Sequence, residues 1–113
     1  MQTANLNIPR LLFLQGKKIL VMKPEQIIRL EAKSNYTQVF FTDHPPVLMA
    51  KVLGSYDELL RPFGFVRTHR SHLVNLQYVT ELGHDGILHM TDSSSAEISR
   101  RRKAEVCRSL AQS

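Results

Sequence analysis

Short apolar runs separated by polar breaks dominate this chain, and their spacing is that of strands more often than of helices. Ile19 to Met22, β-branched and apolar, predicts a strand. Gln26 to Glu31 predicts another, Lys33-Ser34-Asn35 interrupts it, and Tyr36 to Thr42 (YTQVFFT) resumes, so the break reads as a turn or loop. Asp43-His44-Pro45-Pro46 is a second turn, because paired prolines cannot continue a ladder, and Val47 to Val52 is the return strand. Ser55-Tyr56-Asp57-Glu58 offers a capping box for a short helix that Pro62 and Gly64 end. Phe65 to Thr68 and Leu76 to Leu82 predict strands. Gly83 to Gly86 is a hairpin turn, Ile87 to Thr91 a strand, Asp92 to Ser95 a turn, and Ala96 to Ile98 the last strand. Ser99 is placed to cap a helix from Arg100 to about Leu110, with Val106, Cys107 and Leu110 as its apolar stripe. The residues up to Pro9 read as loosely ordered. The expectation is one mostly β domain with a short internal helix and a C-terminal helix.

One segment resists this pattern. In Phe65 to Leu76 (FVRTHRSHLVNL), Arg67, His69, Arg70 and His72 crowd between apolar anchors. Strict alternation gives neither face a clean core, so the middle is expected to be a loop. Asn75, among apolar neighbours, is expected to satisfy backbone. Arg67 reads equally as an ion pair with an acid or as a phosphate contact.

Length and charge narrow the function. At 113 residues the chain holds a single core. No apolar run approaches a membrane span, and no signal-peptide pattern opens the chain. The single cysteine, Cys107, fits a reducing compartment and reads as a buried small hydrophobe, so a cytoplasmic protein is expected. The net charge of +5 matters less than its distribution. Arg61, Arg67 and Arg70 form one group, and Arg100, Arg101, Arg102 and Lys103 form another that contains no acid. Clusters of one sign favour a polyanionic partner.

The second group falls in the first turn of the predicted terminal helix, where each cation costs on the order of 0.3–1 kcal/mol against the helix dipole. Phosphate at that end would reverse the sign, whereas the plainer alternative is a solvated, slightly unfavourable helix start. Arg70, between His69 and Ser71, has the planar fork that pairs with guanine. No P-loop, GxGxxG or nucleophile elbow is present, and His69 and His72 lack further ligands, so no enzyme, metal or cofactor is expected. A rival reading is a single-stranded RNA-binding module using the RNP1-like stretch Arg61–Thr68. Against it stand Pro62 in place of the pattern's glycine, Thr68 in place of its last aromatic, and the lack of long helices.

Taken in order, the three polar loops resemble those of the LytTR family, the DNA-binding output domains of bacterial response regulators in two-component systems. IIRLEAKSNYTQVFF is similar to the family's strand, EA-x-x-NY loop and strand. Phe65 to Asn75 resembles its most diagnostic segment, F-x-R-x-H-R/K-S-aromatic-aliphatic-V-N, and Ile98 to Arg101 its closing v-S-R-r. The resemblance implies an elongated, mostly β arrangement of three small antiparallel sheets with short helices. It implies that loops, not a recognition helix, enter successive major grooves of double-stranded DNA at repeated sites. On this basis Asn35, Arg70 and Arg100 are the expected base readers. Lys33, Ser34, His69, Ser71, Arg101, Arg102 and Lys103 are the expected backbone contacts. Two copies per operator are expected, acting as a homodimer on DNA, with an upstream sensor kinase or receiver partner and no membrane. The LytTR-like domain is expected over 19–113, behind an N-terminal segment 1–18, with no receiver domain in this chain. His72 stands where the family usually has Phe or Tyr.

Overall fold

The computed structural model describes residues 10–112, so the looseness expected up to Pro9 falls outside the described residues. In chain order the elements are β1 (Leu11–Gln15), β2 (Lys18–Met22), β3 (Ile27–Lys33), β4 (Tyr36–Phe41), β5 (Val47–Met49) and α1 (Leu53–Leu60). They continue as β6 (Phe65–His69), β7 (His72–Asn75), β8 (Val79–Leu82), β9 (Ile87–Met90), β10 (Ser95–Glu97) and α2 (Lys103–Ala111). The strands form three antiparallel sheets, ordered β1-β2, β5-β4-β3-β7-β6 and β10-β9-β8. The fold is therefore the expected one, mostly β and elongated, with extents of 44 × 36 × 24 Å.

The central five-stranded sheet is covered on both faces, which explains why β3 is buried continuously from Ile27 to Leu30 instead of alternating. One core joins Phe13, Ile27, Leu30, Val39, Phe41, Tyr56, Leu60, Phe65 and Leu73, under the β1–β2 hairpin and α1. The other joins Ile28, Val74, Leu88, Met90, Ala96 and Val106, against the β8–β10 sheet and α2. A register shift between Ile27 and Arg29 sends Ile27 and Ile28 into different cores. Among the described residues no helix is long and apolar enough to cross a membrane.

Several local expectations are corrected. Helix α1 starts at Leu53, ahead of Ser55, and its N-cap residue Val52 makes no side-chain cap, so the Ser55–Glu58 capping box does not form. β5 stops at Met49, and beyond it the Thr37 hydroxyl donates to the Lys51 carbonyl at 2.6 Å in place of a ladder bond. Leu76–Tyr78 is a 3-10 turn and not strand, because the Asn75 side-chain oxygen accepts from the Gln77 N–H. Ser99 does precede a helical turn, but that turn is 3-10 over Arg100–Arg102 with no side-chain cap, and α2 begins only at Lys103. Cys107 is exposed: Val106 alone on α2 is fully buried, and the next residue turns about 100° away from the core. β1 was not expected as a strand. Its run LLFLQ hides the alternation because Leu11 and Phe13 enter the core while the equally apolar Leu12 and Leu14 face out.

Candidate nucleic-acid interface

Two hairpin turns stand at the same end of the central sheet. β3 leads into Ser34-Asn35 and returns as β4, with Lys33 opposite Tyr36. β6 leads into Arg70-Ser71 and returns as β7, with His69 opposite His72. β3 and β7 are themselves neighbours, Glu31 facing His72, and the Ala32 N–H donates to the Ser71 carbonyl at 2.9 Å. Lys33, Ser34, Asn35, His69, Arg70 and Ser71 are thereby brought to one edge. The segment read as a long loop is mostly ladder; only Arg70 and Ser71 leave the strands.

The third basic segment is docked beside this edge by a bulge. The β6–β7 register slips between Arg67 and His69, leaving Thr68 as the unpaired residue. Freed from the ladder, the buried Thr68 accepts the Ser99 N–H on its carbonyl at 2.8 Å and donates its hydroxyl to the Glu97 carbonyl at 2.9 Å. The chain thus enters Arg100 next to the end of β6. The bulge also explains why alternation failed across this stretch.

Arg67 braces the Arg70-Ser71 turn from behind. Its Nε donates to the His69 carbonyl at 3.0 Å and its Nη2 to the Arg70 carbonyl at 2.6 Å. Its Nη1 lies 3.6 Å from the Asp57 carboxylate, which also takes Arg61 at 2.9 Å. Of the two readings open from the sequence, the ion pair is therefore the one realised. The Ser71 N–H donates to His69 Nδ1 at 3.0 Å, which leaves Nε2 as the imidazole's donor. Asn75 does satisfy backbone, its amide donating to the Ile27 carbonyl at 3.0 Å.

Charge behind the turns is paired, and charge on them is not. Glu31 binds Arg29 and Lys33, each at 2.9 Å. Burial works to raise the Glu31 carboxyl, but the hydrogen bonds and charges of Arg29 and Lys33 outweigh it and hold the group below the ordinary carboxylate range. His72, beside them, is pushed below the ordinary histidine value by burial, against the pull of Glu31, and its Nδ1 is buried without a partner. Arg70, Arg100, Arg101, Arg102 and Lys103 have no acidic partner among the described residues, and all but Arg102 are exposed. Arg29, Glu31, Asp57 and Arg67 are the positioning residues that sequence reasoning did not assign to the site. The only signal for Arg67 and Asp57 was a basic residue inside a strand and an acid on a short helix.

The RNP1-like stretch cannot act as a base-stacking platform. Residues 61–63 form a 3-10 turn and Phe65 is 1% exposed, committed to the core. No group of His, Cys, Asp and Glu side chains suited to a metal occurs among the described residues.

Comparison with known proteins agrees with this geometry. The family model for the LytTr DNA-binding domain matches residues 17–111. A solved structure from Bacillus cereus, described as the LytTr DNA-binding domain of a response regulator, superposes with a TM-score of 0.77 at 20% identity, covering 89% of this chain and 95% of the other. No curated protein matches the chain.

Proposed function

Because the chain belongs to the LytTr DNA-binding domain family, we propose that it is the sequence-specific duplex-DNA reader of a bacterial transcription regulator acting in the cytoplasm without catalysis. In this reading the Ser34-Asn35 turn, the Arg70-Ser71 turn and the Arg100 segment meet the DNA. Asn35, Arg70 and Arg100 read base edges. Lys33, Ser34, His69, Ser71, Arg101, Arg102 and Lys103 contact phosphates. A sensor kinase or receiver partner would supply the upstream signal.

The observation that carries the proposal is the convergence of three sequence-distant basic segments on one edge, with Arg70 and the Arg100–Lys103 cations free of acidic partners while Arg29, Lys33 and Arg67 are paired. Strand spacing sets the scale. The two turns lie two strands apart, roughly 10 Å, and the Arg100 segment lies beyond β6, for a total spread of roughly 15–20 Å. A major groove is about 12 Å wide, so such a row straddles a phosphate ridge, in keeping with side chains entering successive grooves. A few bases read per copy give modest discrimination, which favours two copies at repeated sites.

A binding selection from a random duplex library, run at two salt concentrations, tests the reading. Two spaced repeats are expected, with affinity falling steeply in salt. Arg70→Ala and Arg100→Ala should each relax preference at one position by roughly 1–3 kcal/mol. Lys103→Ala should weaken all sequences alike and lower the salt slope by about one. An unchanged site logo for Arg70→Ala would remove the direct-readout role, and absence of any enriched motif would reduce the edge to a generic basic surface.

A further inference from the structure

The bonds that hold the Arg70-Ser71 turn differ in one respect: only one of them can be switched by a proton. Arg67 donates to the His69 and Arg70 carbonyls, and its guanidinium stays charged wherever the domain is folded. The Ala32 N–H donates to the Ser71 carbonyl and does not titrate. The Ser71 N–H, by contrast, donates to His69 Nδ1 at 3.0 Å and needs a free lone pair on that nitrogen. A proton there would set two donors against each other, so the His69 imidazolium and this bond exclude one another.

The neighbouring ring has the same requirement for a different reason. His72 pairs with His69 across the β6–β7 ladder, with ring centroids 5.5 Å apart. A charged imidazole carries protons on both nitrogens, and the Nδ1 of His72 is buried with no partner to accept from it. Glu31 and Arg29 face His72 from β3, Glu97 from β10 and His69 from β6. Glu31 is already held by Arg29 and Lys33, and Glu97 is exposed, so neither acid offsets the burial that keeps His72 neutral. Two imidazoliums in ring contact would also repel. The other histidines, His44, His84 and His89, belong to the β4–β5 connection, the β8–β9 turn and β9, away from this pair in the ladder.

We propose that His69 and His72 form an acid-sensitive latch on the Arg70-Ser71 turn. With both rings neutral the turn is held and the domain discriminates its site. Proton uptake from solvent breaks the Ser71 bond and frees the backbone beneath Arg70. The ordering cost then falls on DNA binding, and base preference is lost. Phosphate binding survives, because the added protons make the edge more positive. The proposal rests on the functional reading above, since it regulates that same edge. The presence of histidine at position 72, where the family usually has Phe or Tyr, gives this chain a second titrating ring at the turn.

The test measures the affinity of the full chain for a selected duplex and for a scrambled one, at about pH 7.5 and about pH 5.5 and at one ionic strength. The ratio of the two affinities is the readout. In the wild type it should fall about tenfold or more on acidification, while affinity for the scrambled duplex holds or rises. The double variant His69→Asn, His72→Phe should keep its ratio. The asparagine amide oxygen supplies the acceptor for the Ser71 N–H, and neither new side chain titrates. Its affinity for both duplexes should be lower at each pH, through loss of the proposed His69–phosphate contact. His72→Phe alone removes one titrating ring and should leave a shallower fall. An unchanged wild-type ratio, or a fall as steep as the wild type's in either variant, overturns the proposal. Equal loss of both affinities in the wild type would mean that the domain has unfolded, and overturns it too. Ring-nitrogen and amide NMR shifts followed through the same pH range give a readout without DNA. The Ser71 amide should move in step with the His69 ring, and an amide that stays put while His69 titrates overturns the latch. Absence of any site preference at about pH 7.5 would sink the DNA reading instead, and the shifts would still decide whether the turn is released by acid.

Discussion

The two turns at the basic edge are close neighbours built by opposite means. Arg70-Ser71 is held from behind by Arg67, which ties two successive carbonyls to the Asp57 carboxylate, and from within by His69. Ser34-Asn35 has no comparable brace among the described residues. Its hairpin closes with Ser34 at φ 58°, and its flanking cation, Lys33, is half-exposed and tied to Glu31 by a surface pair. Such pairs are worth roughly 0–1 kcal/mol, so Lys33 can leave Glu31 for a phosphate at little cost. The backbone of one turn is therefore held in place beneath the proposed reader, Arg70, and the other turn keeps freedom to adapt. Pre-organisation lowers the ordering cost of binding, so the braced turn is the better place for a residue that must discriminate.

The comparison can be broken most easily at Arg67. Arg67→Ala removes two charge-assisted bonds and leaves Asp57 with Arg61 alone, and a loss of about 2–4 kcal/mol is expected in denaturant midpoints. Arg67→Lys should not restore it, because an ammonium lacks the fork that reaches two carbonyls and a carboxylate together. If either variant kept both stability and base preference at the Arg70 position, the brace would be ornamental.

His72 gives the next effect. It supports the braced turn yet leaves a buried nitrogen unsatisfied, so His72→Phe should stabilise the domain by about 1 kcal/mol. The pH dependence has a definite sign. Burial holds the folded-state imidazole below its ordinary 6.5, so the unfolded chain takes up the proton first. The histidine's contribution is fully present above 6.5 and is lost as pH falls below it. Thermal unfolding of His72→Phe should show a flatter dependence on pH in that window, and an unchanged slope would assign the sensitivity elsewhere.

Ser34→Gly should have the smallest effect. Relief of the left-handed backbone is offset by the greater freedom of glycine in the unfolded chain, leaving a gain of about 0.5 kcal/mol. DNA affinity should fall only by the loss of the one proposed Ser34 hydroxyl–phosphate contact, about 1 kcal/mol, if this turn adapts on binding. A loss as large as that of Arg67→Ala would show that both turns are equally rigid and would erase the distinction.

Sequence alone determined the class of fold, most of the strands along the chain, the three basic loops and their family. These are local properties: runs bounded by turn residues, cations without neighbouring acids, and a spacing of motifs that survives without coordinates. It misread what depends on a partner far along the chain. β1 was invisible because both faces of its run are apolar, and only packing of Phe13 on Phe41 distinguishes inward from outward. Cys107 was placed on the wrong side of α2 because one residue of helical phase decides burial. The Arg67 ambiguity closed only when α1 brought Asp57 beneath the turn. The bulge at Thr68 could not be read from alternation, since its purpose is to free one residue for Glu97 and Ser99, some thirty positions away. Tertiary structure decided which cations are paired and which are left without an acid, because that choice depends on where the acids fall in space.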